Sequence, residues 1–279
     1  MTDSTLAGIR VVSIAINLPG PLAAARLRQL GAEVIKVEPP TGDPLALLLP
    51  HWYAELAADQ KVIQLDLKDS DDKAALEAEL AQSDIFITSH RPSALRRLGL
   101  LDAHLRHSRL SHIEIVGHDG DLAETPGHDL TYQAAYGTIV PPTMPTVPVV
   151  DMLGSERAVS AALGCLLDRG RTGAGQHHRV VLEDAAAFAG AAVRHGMMGT
   201  GAPLGGADPA YRIYATADGH VALAALEPHF RQRLLDLLEI PETHLDLEAV
   251  FANRTNEQWR TFGHNNDIPL APINSGGEH

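Results

Sequence analysis

The sequence is poor in cysteine, with Cys165 the single one among 279 residues. A lone cysteine cannot form a disulfide bond within the chain, and its apolar neighbours predict a buried thiol rather than a nucleophile. No stretch approaches the roughly 20 apolar residues that a membrane-spanning helix needs. The first residues, MTDSTLAGIR, also lack the basic and apolar regions of a signal peptide. The sequence therefore predicts a cytoplasmic protein without a membrane partner.

Positive charge is also scarce. Lys and Arg number 22 against 35 Asp and Glu, which gives a formal net charge of -13. A nucleic-acid surface needs a basic face to neutralise phosphates, so this balance argues against a nucleic-acid partner. It leaves room for a small anionic ligand, because a few local cations can hold one within an acidic protein.

The common motifs of nucleotide, metal and serine chemistry are missing as well. The chain has no GxGxxG or GxxxxGK[ST] phosphate loop, no HExxH pair and no GxSxG elbow. Its 15 histidines are not accompanied by a cysteine cluster. The adjacent His177 and His178 would point to opposite faces of a strand and could not share one ion there. The sequence predicts no metal site.

Strand and helix signals alternate through the first hundred residues. Short β-branched runs predict strands, and the Ala- and Leu-rich stretches between them predict helices. The predicted strands are residues 9–15, 33–40, 61–68 and 84–90, and the predicted helices are 20–32 and 71–83. Such alternation predicts an α/β fold with a mainly parallel sheet and helices on both faces.

The ends of the predicted strands carry the first candidate binding residues, because ligands of such sheets bind beyond the carboxyl ends of the strands. The turn NLPGP at 17–21 follows the first strand and leads into a helix whose first N–H groups are expected to meet an anion. Arg91 follows the fourth strand, with Arg96 and Arg97 close behind. We consider Arg91 a candidate phosphate contact, and a solvated surface arginine is the alternative interpretation.

The second half of the chain changes in composition. A long helix is predicted over 152–173, which makes Asp151 its expected N-cap. A glycine-rich stretch at 199–209 follows, and residues 211–230 predict a hairpin with Asp218-Gly219 at the turn. We expect a large domain over 1–198 and a small α+β domain over 199–279.

Four acids and bases lie near the ends of predicted elements, namely His128, Asp129, Asp151 and Glu227. Each also has a structural interpretation as a residue of a first helical turn, a helix cap or a loop carboxylate before a proline. His128 and Asp151 flank one short extended segment, which could fold back to bring them together. The residue pattern alone leaves both interpretations open.

Several motifs, in order along the chain, resemble the class III CoA-transferase family (the CaiB/BaiF type), which also contains the α-methylacyl-CoA racemases. They are LAGIRVVSIAINLPGPLAAARLRQLGAEVIKVEPPTGDP, KVIQLDLK, ITSHRPSALRRLGL, PGHDLTYQAAYG, RTGAGQHHRVVLEDAA, PAYRIYATADGHVALAALEPHF and FANRTNEQW, and they extend over about residues 6–273. The resemblance implies a Rossmann-like large domain, a small domain and an interlocked homodimer. It implies an acyl-CoA substrate, with coenzyme A as part of that substrate and no permanently bound cofactor. Lys36 and Arg91 are the implied cationic contacts, and Arg96 and Arg97 are further ones.

The resemblance is closest to the racemase branch. In the transferases an aspartate at the position of Asp151 attacks the acyl-CoA thioester, whereas in the racemases that aspartate is a base opposite a histidine in a GHD motif. This chain has Gly127-His128-Asp129, and Glu227 in ALEPHF matches the glutamate that pairs with that histidine. We therefore expect an acyl-CoA racemase or epimerase in which His128 and Asp151 move the α-proton and Glu227 orients His128.

Two alternatives remain open. A CoA-transferase would use Asp151 as its nucleophile and would not need His128. A non-catalytic CoA-binding subunit, active only beside a second chain, is favoured by Met-Leu-Gly-Ser-Glu after Asp151, where the racemases have a phenylalanine and glycines. A C-terminus shorter than is usual in the family also favours it. In either enzyme, the helix after Asp151 is expected to offer backbone N–H groups to an oxyanion.

Overall fold

The computed structural model of the protein describes residues 4–240 and 244–274. The chain divides into two compact units. The first comprises the residues up to Tyr136 together with Pro145–Ala189, and the second comprises Gly137–Met144 together with the residues from Gly190 onward. The domain limits expected from the sequence, 1–198 and 199–279, stay a prediction, because compactness does not test independent folding.

Within the described residues, the first unit contains a six-stranded sheet whose neighbouring strands are all parallel. The strands are β1 Arg10–Ser13, β2 Glu33–Glu38, β3 Lys61–Gln64, β4 Ile85–Thr88, β5 Ser111–Val116 and β6 His177–Val181. They lie in the order β3-β2-β1-β4-β5-β6, so the strand order reverses between β1 and β4. Every residue of β4 and β5 is buried, as expected for parallel strands covered on both faces. The α/β expectation is confirmed.

Helices connect the strands, and several begin at a proline, whose fixed φ and missing N–H suit the first helical position. The described helices of this unit are α1 Pro19–Gln29, α2 Pro44–Leu48, α3 Pro50–Ala57, α4 Ser70–Leu80, α5 Pro92–Leu98, α6 Ala103–Arg106, α7 Asp129–Ala135, α8 Val149–Thr172 and α9 Leu182–Ala189, with a 3₁₀ turn at Gly120–Leu122. In the parts of the chain that the structure describes, no helix combines the length and apolar character needed to cross a bilayer.

The two faces of the sheet have separate hydrophobic cores. On one face, Leu27 of α1 and Ala158 of α8 belong to the same buried cluster as Val11 of β1. On the other face, Leu76 of α4 and Leu95 of α5 are fully buried. Each buried leucine contributes about 1.5–3 kcal/mol relative to an exposed one, so both layers of helices hold the sheet in place.

Cys165 lies on α8 within the first of these cores and is 4% exposed. Burial raises the pKa of its thiol above the ordinary cysteine value, which disfavours the reactive thiolate. The prediction of a packed thiol is confirmed.

The second unit, described by itself, contains an antiparallel sheet of β7 Tyr211–Ala215, β8 His220–Ala224 and β9 Leu270–Pro272. The expected hairpin is confirmed, with Asp218 and Gly219 in the connection between β7 and β8. The described helices are α10 Ala191–Arg194, α11 Pro228–Leu238, α12 His244–Phe251 and α13 Asn256–Asn266, with a 3₁₀ turn at Pro203–Gly205. Trp259 is fully buried, and its Nε1 donates a hydrogen bond of 2.9 Å to the Phe251 carbonyl oxygen.

Candidate active site

A cavity of about 230 Å³ lies at the carboxyl end of the parallel sheet, where the strand order reverses. Residues that follow β1, β4 and β5 line it, among them Asn17, Arg91 and Gly117. This place agrees with the rule that ligands of open parallel sheets bind beyond the carboxyl ends of the strands. The rest of the polar lining comes from the loop before α7, from α7 itself and from the start of α8.

His128 lines this cavity from the position immediately before α7, and the residue is exposed. Its backbone is held by Thr131, whose hydroxyl donates to the His128 carbonyl oxygen at 2.8 Å and accepts the His128 N–H at 3.1 Å. The second of these bonds gives the His128 N–H the acceptor that a donor at a helix start lacks within the helix. The imidazole is thus carried by an ordered turn and stays accessible to a molecule in the cavity.

Asp151 lines the same cavity from the first turn of α8 and is half-buried. Burial, and after it the negative charge of Asp129, raise the pKa of the Asp151 carboxyl group to about 7. Both protonation states are therefore present near neutral pH. A carboxyl group with this pKa can accept a proton and return it at that pH.

Asp129 binds the start of α8 from outside the helix. One of its carboxylate oxygens accepts the N–H of Val150 at 2.8 Å and that of Asp151 at 3.1 Å. Because α8 begins at Val149, Asp151 already lies in the first turn. The expectation that Asp151 is the N-cap is therefore wrong, and a carboxylate from the GHD motif accepts the N–H groups that a cap would accept.

The N–H groups in the first turn of α8 all have acceptors. Val149 donates to the Val147 carbonyl oxygen at 2.9 Å, and Met152 donates to the Pro148 carbonyl oxygen at 3.1 Å. The two N–H groups between them are the ones that Asp129 accepts. The expectation that this helix start offers free N–H groups to an oxyanion is therefore wrong, since a substrate oxygen would have to displace the Asp129 carboxylate.

Replacement of Asp129 by asparagine is expected to lower the pKa of Asp151 and to leave the start of α8 capped. The amide oxygen can still accept the two N–H groups, but the charge that disfavours ionisation of Asp151 is gone. Because burial is the larger cause of the shift, the pKa should stay above the ordinary aspartate value. The measurement is a ¹³C NMR titration of labelled carboxyl groups, with Asp151→Asn to identify the signal.

The variant Asp129→Ala is the matched control, because it removes the charge and the acceptor together. We expect the same direction of change in the pKa of Asp151, with an additional loss of stability of about 0.5–2 kcal/mol from the lost cap. An unchanged or raised Asp151 pKa in Asp129→Asn would show that Asp129 does not control the ionisation of Asp151.

Of the expected cationic contacts, Arg91 lines the cavity. It is exposed and directly precedes α5, and Arg96 and Arg97 lie exposed in the last turn of that helix. Hydrogen bonds from Ser93, and also the charges of Arg91 and Arg96, lower the pKa of the nearby Glu124 carboxyl group. The rim of the cavity therefore carries accessible positive charge, which suits an anionic ligand.

Lys36 has a different environment, inside β2 and 2% exposed. Its ammonium group forms ion pairs with Asp43 and with Glu38, the latter at 2.9 Å, and lies 4.6 Å from the centre of the Tyr53 ring. Separating a buried charge from its partners is costly. A phosphate contact by Lys36 stays a prediction, and it would require an exchange of these partners.

The turn after β1 offers fewer donors than the sequence suggested. Helix α1 begins at Pro19, and its third residue is Pro21, so two of its first three positions have no N–H. The Leu22 N–H already donates to the Leu18 carbonyl oxygen at 3.1 Å. The Gly20 N–H is what remains for an anion at this helix start, which makes the arginines the stronger candidates.

Two further expectations concern Glu227 and metal ions. Glu227 lies in the second unit as an exposed residue directly before α11. Its pairing with His128 stays a prediction.

Among residues 4–240 and 244–274, no group of three or more His, Cys, Asp and Glu side chains is arranged to hold a metal ion.

Three residues that the sequence did not single out form a chain of contacts that begins at the cavity. Tyr132 is 3% exposed and lines the cavity. Its ring contacts His118 edge-on, with 5.3 Å between centroids, and His118 Nδ1 lies 2.8 Å from a Glu183 carboxylate oxygen. Tyr132 follows His128 by four residues, a spacing that puts two side chains on one side of a helix, so the sequence held a signal for it. His118 and Glu183 are 65 residues apart in the sequence, so no spacing rule predicts their contact.

Known proteins resemble this chain over nearly its whole length. Alpha-methylacyl-CoA racemase from Homo sapiens is 27% identical over 307 residues, which cover 96% of this chain and 77% of the relative. Succinate–glutarate CoA-transferase from Agrobacterium fabrum is 29% identical over 321 residues, which cover 97% of this chain and 80% of the relative. The crystal structure of a hypothetical protein from Mycobacterium tuberculosis gives a TM-score of 0.84 at 25% identity, over 98% of this chain and 86% of that one. The sequence also matches the family profile described as CoA-transferase family III over residues 6–278, and the chain belongs to that family.

Proposed function

We propose that the protein is an acyl-CoA racemase or epimerase that interconverts the stereoisomers of 2-methylacyl-CoA thioesters. The observation that carries the proposal is that His128 and Asp151 line one cavity at the carboxyl end of the sheet. The two side chains come from separate elements, the turn before α7 and the first turn of α8. Inversion at an α-carbon needs a proton removed from one face and a proton returned to the other, and two bases in one cavity suit that task.

In one direction of the reaction, ionised Asp151 accepts the α-proton. The electron pair of the broken C–H bond moves toward the thioester carbonyl oxygen, and an enolate forms. Protonated His128 then gives a proton to the opposite face of the α-carbon. In the other direction the two residues exchange roles. The pKa of Asp151, about 7, supports this assignment, because both protonation states are available at neutral pH.

Coenzyme A would enter as part of the substrate. Arg91 at the cavity, with Arg96 and Arg97 on α5, supports a place for its phosphate groups along this rim, because guanidinium groups bind phosphate oxygens in pairs. The acyl end would then reach into the cavity toward His128. We also propose a cytoplasmic homodimer, as the family resemblance implies, and light scattering coupled to gel filtration measures the oligomeric state.

A CoA-transferase is the second candidate, and the Agrobacterium relative, at 29% identity, favours it. In that reaction the Asp151 carboxylate would attack the thioester carbonyl carbon, the C–S bond would break and CoA would leave as its thiolate. The raised pKa of Asp151 leaves a smaller ionised fraction for such an attack at neutral pH. A transferase would not require His128.

Proton exchange in D₂O tests the proposed function. The purified protein is mixed with one stereoisomer of a 2-methylacyl-CoA, and the α-proton signal and the configuration are followed by NMR. We expect the α-proton signal to disappear together with inversion. Absence of exchange over hours, with thioester binding intact, would remove the racemase proposal. Transfer of CoA to an added carboxylic acid would then identify the second candidate.

A further inference from the structure

An enolate needs a hydrogen-bond donor at the thioester oxygen, and the start of α8 does not leave one free. The Val150 and Asp151 N–H groups are bound to Asp129, and the neighbouring N–H groups of that turn donate to backbone carbonyl oxygens. Stabilising the negative charge that develops on oxygen is often the largest single contribution to catalysis of such steps. The donor must therefore come from another wall of the cavity.

Tyr132 presents a free phenol hydroxyl to that cavity. The residue lines the cavity together with His128 and Asp151 and is 3% exposed. Within the part of the chain that the structure describes, its hydroxyl makes no hydrogen bond. The group can therefore donate to a ligand without first breaking a bond within the protein.

The position of the phenol is fixed by two glycines. A Cβ atom added at Gly117 or at Gly127 would overlap the Tyr132 hydroxyl oxygen. The ring also rests edge-on against His118, which Glu183 holds through Nδ1. A donor held in place before the substrate arrives stabilises charge at little cost of reorganisation.

We propose that Tyr132 is a catalytic residue that donates a hydrogen bond to the thioester oxygen as it becomes the enolate oxygen. The inference rests on the proposed function, because it concerns the step in which His128 or Asp151 removes the α-proton. The C–H bond breaks, its proton goes to the base, and its electron pair moves to the oxygen that accepts the phenol hydrogen bond. Tyr132 keeps its own proton throughout.

The electrostatic surroundings of Tyr132 agree with a donor that stays protonated. Burial, and after it the carboxylates of Asp151 and Glu183, raise the pKa of the phenol above its ordinary value. A neutral phenol is thus present across the working pH range. It also adds no negative charge to a site in which Asp151 must ionise.

Other polar residues of the cavity are weaker candidates. The Ser89 hydroxyl already donates to the Ile16 carbonyl oxygen at 3.3 Å and accepts the Ile16 N–H at 3.1 Å. Asn17 and Arg91 are exposed, so water competes for their donors and weakens their effect. His90 is half-buried, lines the cavity and has an unpartnered Nδ1, which makes it the competitor that an experiment must separate from Tyr132.

The test is Tyr132→Phe, which keeps the ring and removes the hydroxyl, beside His90→Ala as the comparison. We expect Tyr132→Phe to lower kcat for α-proton exchange about 10²–10³-fold with KM changed less than about threefold. A second readout uses acetoacetyl-CoA, whose enolate absorbs in the near ultraviolet. The wild-type protein should hold this probe as its enolate at neutral pH, and Tyr132→Phe should shift it toward the keto form.

A double-mutant cycle keeps the test valid if a single variant disturbs packing. Gly117→Ala should displace the phenol and reduce exchange in the protein that retains Tyr132, because the added methyl group overlaps the hydroxyl. In the Tyr132→Phe background the overlap is relieved, so the same substitution should have little further effect. Such non-additivity is expected when both changes act through one group, and additive losses would contradict it.

The outcomes separate this inference from the proposed function. If the wild-type protein exchanges the α-proton and Tyr132→Phe does so equally well, the inference is overturned while the proposed function stands. If 2-methylacyl-CoA is not exchanged but the acetoacetyl-CoA enolate still depends on Tyr132, the proposed function fails and the donor role stands. Loss of the enolate in His90→Ala with retention in Tyr132→Phe would assign the donor to His90 instead.

Discussion

Replacing His128 with alanine is expected to abolish inversion of a 2-methylacyl-CoA, with a loss of about 10²–10⁴-fold in kcat. His128 and Asp151 line the same cavity, and without the imidazole one face of the α-carbon has no partner for the proton. Asp151 would still be present, so a slow exchange of the α-proton without inversion is the expected residual activity. NMR in D₂O measures both quantities in one experiment, because exchange and configuration are read from the same sample.

The variant His178→Ala is the matched control for this prediction. His178 is exposed like His128, but it lies on the edge strand β6 and does not line the cavity. Its removal should leave both exchange and inversion unchanged. If the wild-type protein shows no inversion and CoA transfer survives in His128→Ala, the CoA-transferase becomes the first candidate function and the racemase the second. Inversion that survives in His128→Ala would exclude His128 as a base.

Much of the fold was predictable because local signals decide its elements. The β-branched runs and the Ala- and Leu-rich stretches of the first hundred residues predicted β1 to β4, α1 and α4 in their observed order, whereas the short helices α2, α3 and α5 were not predicted. The predicted limits were too wide, as for the strand expected at 84–90 and observed as β4 Ile85–Thr88. Hydrophobic pattern extends past the residues that pair, whereas partners on neighbouring strands decide where a strand ends.

The candidate site was predictable in its members and less so in their arrangement. The shared place of His128 and Asp151 followed from a family resemblance, since no spacing rule relates residues in separate elements. The start of α8 was misplaced because its N–H groups are accepted by Asp129, which lies 22 residues before Asp151. A propensity for capping is a local property, and here the acceptor comes from another helix.

The surroundings of the site were the least predictable part. His118 and Glu183 come together only because β5 and β6 are neighbours in the sheet. Lys36 matched a family position, yet its ion pairs with Glu38 and Asp43 depend on the turn between β2 and α2. Side-chain partners of this kind are set by tertiary structure, and they cannot be predicted from one sequence alone.

Replacing Asp151 with asparagine is expected to remove activity and to stabilise the protein at alkaline pH. The amide cannot accept the α-proton or attack a thioester, so both candidate reactions should fall by about 10²–10⁴-fold. The stability effect has a separate cause. The folded-state pKa of about 7 is raised above the ordinary aspartate value of 3.8, so the folded protein holds this proton more tightly than the unfolded chain.

The sign of the pH dependence follows from that difference. Below about pH 3, both states are largely protonated at Asp151, and the carboxyl group costs nothing. As the pH rises from about 4 to about 7, the unfolded chain loses the proton first, and the free energy of unfolding decreases. Above pH 7 the loss is complete, on the order of 1–3 kcal/mol for a half-buried group. Asp151→Asn should therefore unfold at a higher urea concentration than the wild-type protein at pH 8, with the difference vanishing below about pH 3.

The same helix provides a control of opposite sign. Hydrogen bonds from Arg171 and Gln176 lower the pKa of Asp168, also on α8, so this carboxylate stabilises the folded state above its unfolded pKa. Asp168→Asn should lose stability at pH 8 and keep activity, because Asp168 does not line the catalytic cavity. Equal responses of the two variants would mean that the general negative charge of the protein, rather than burial of Asp151, governs the effect. A stabilised, inactive Asp151→Asn would instead show that the fold tolerates an unfavourable carboxylate at the position where the chemistry needs one.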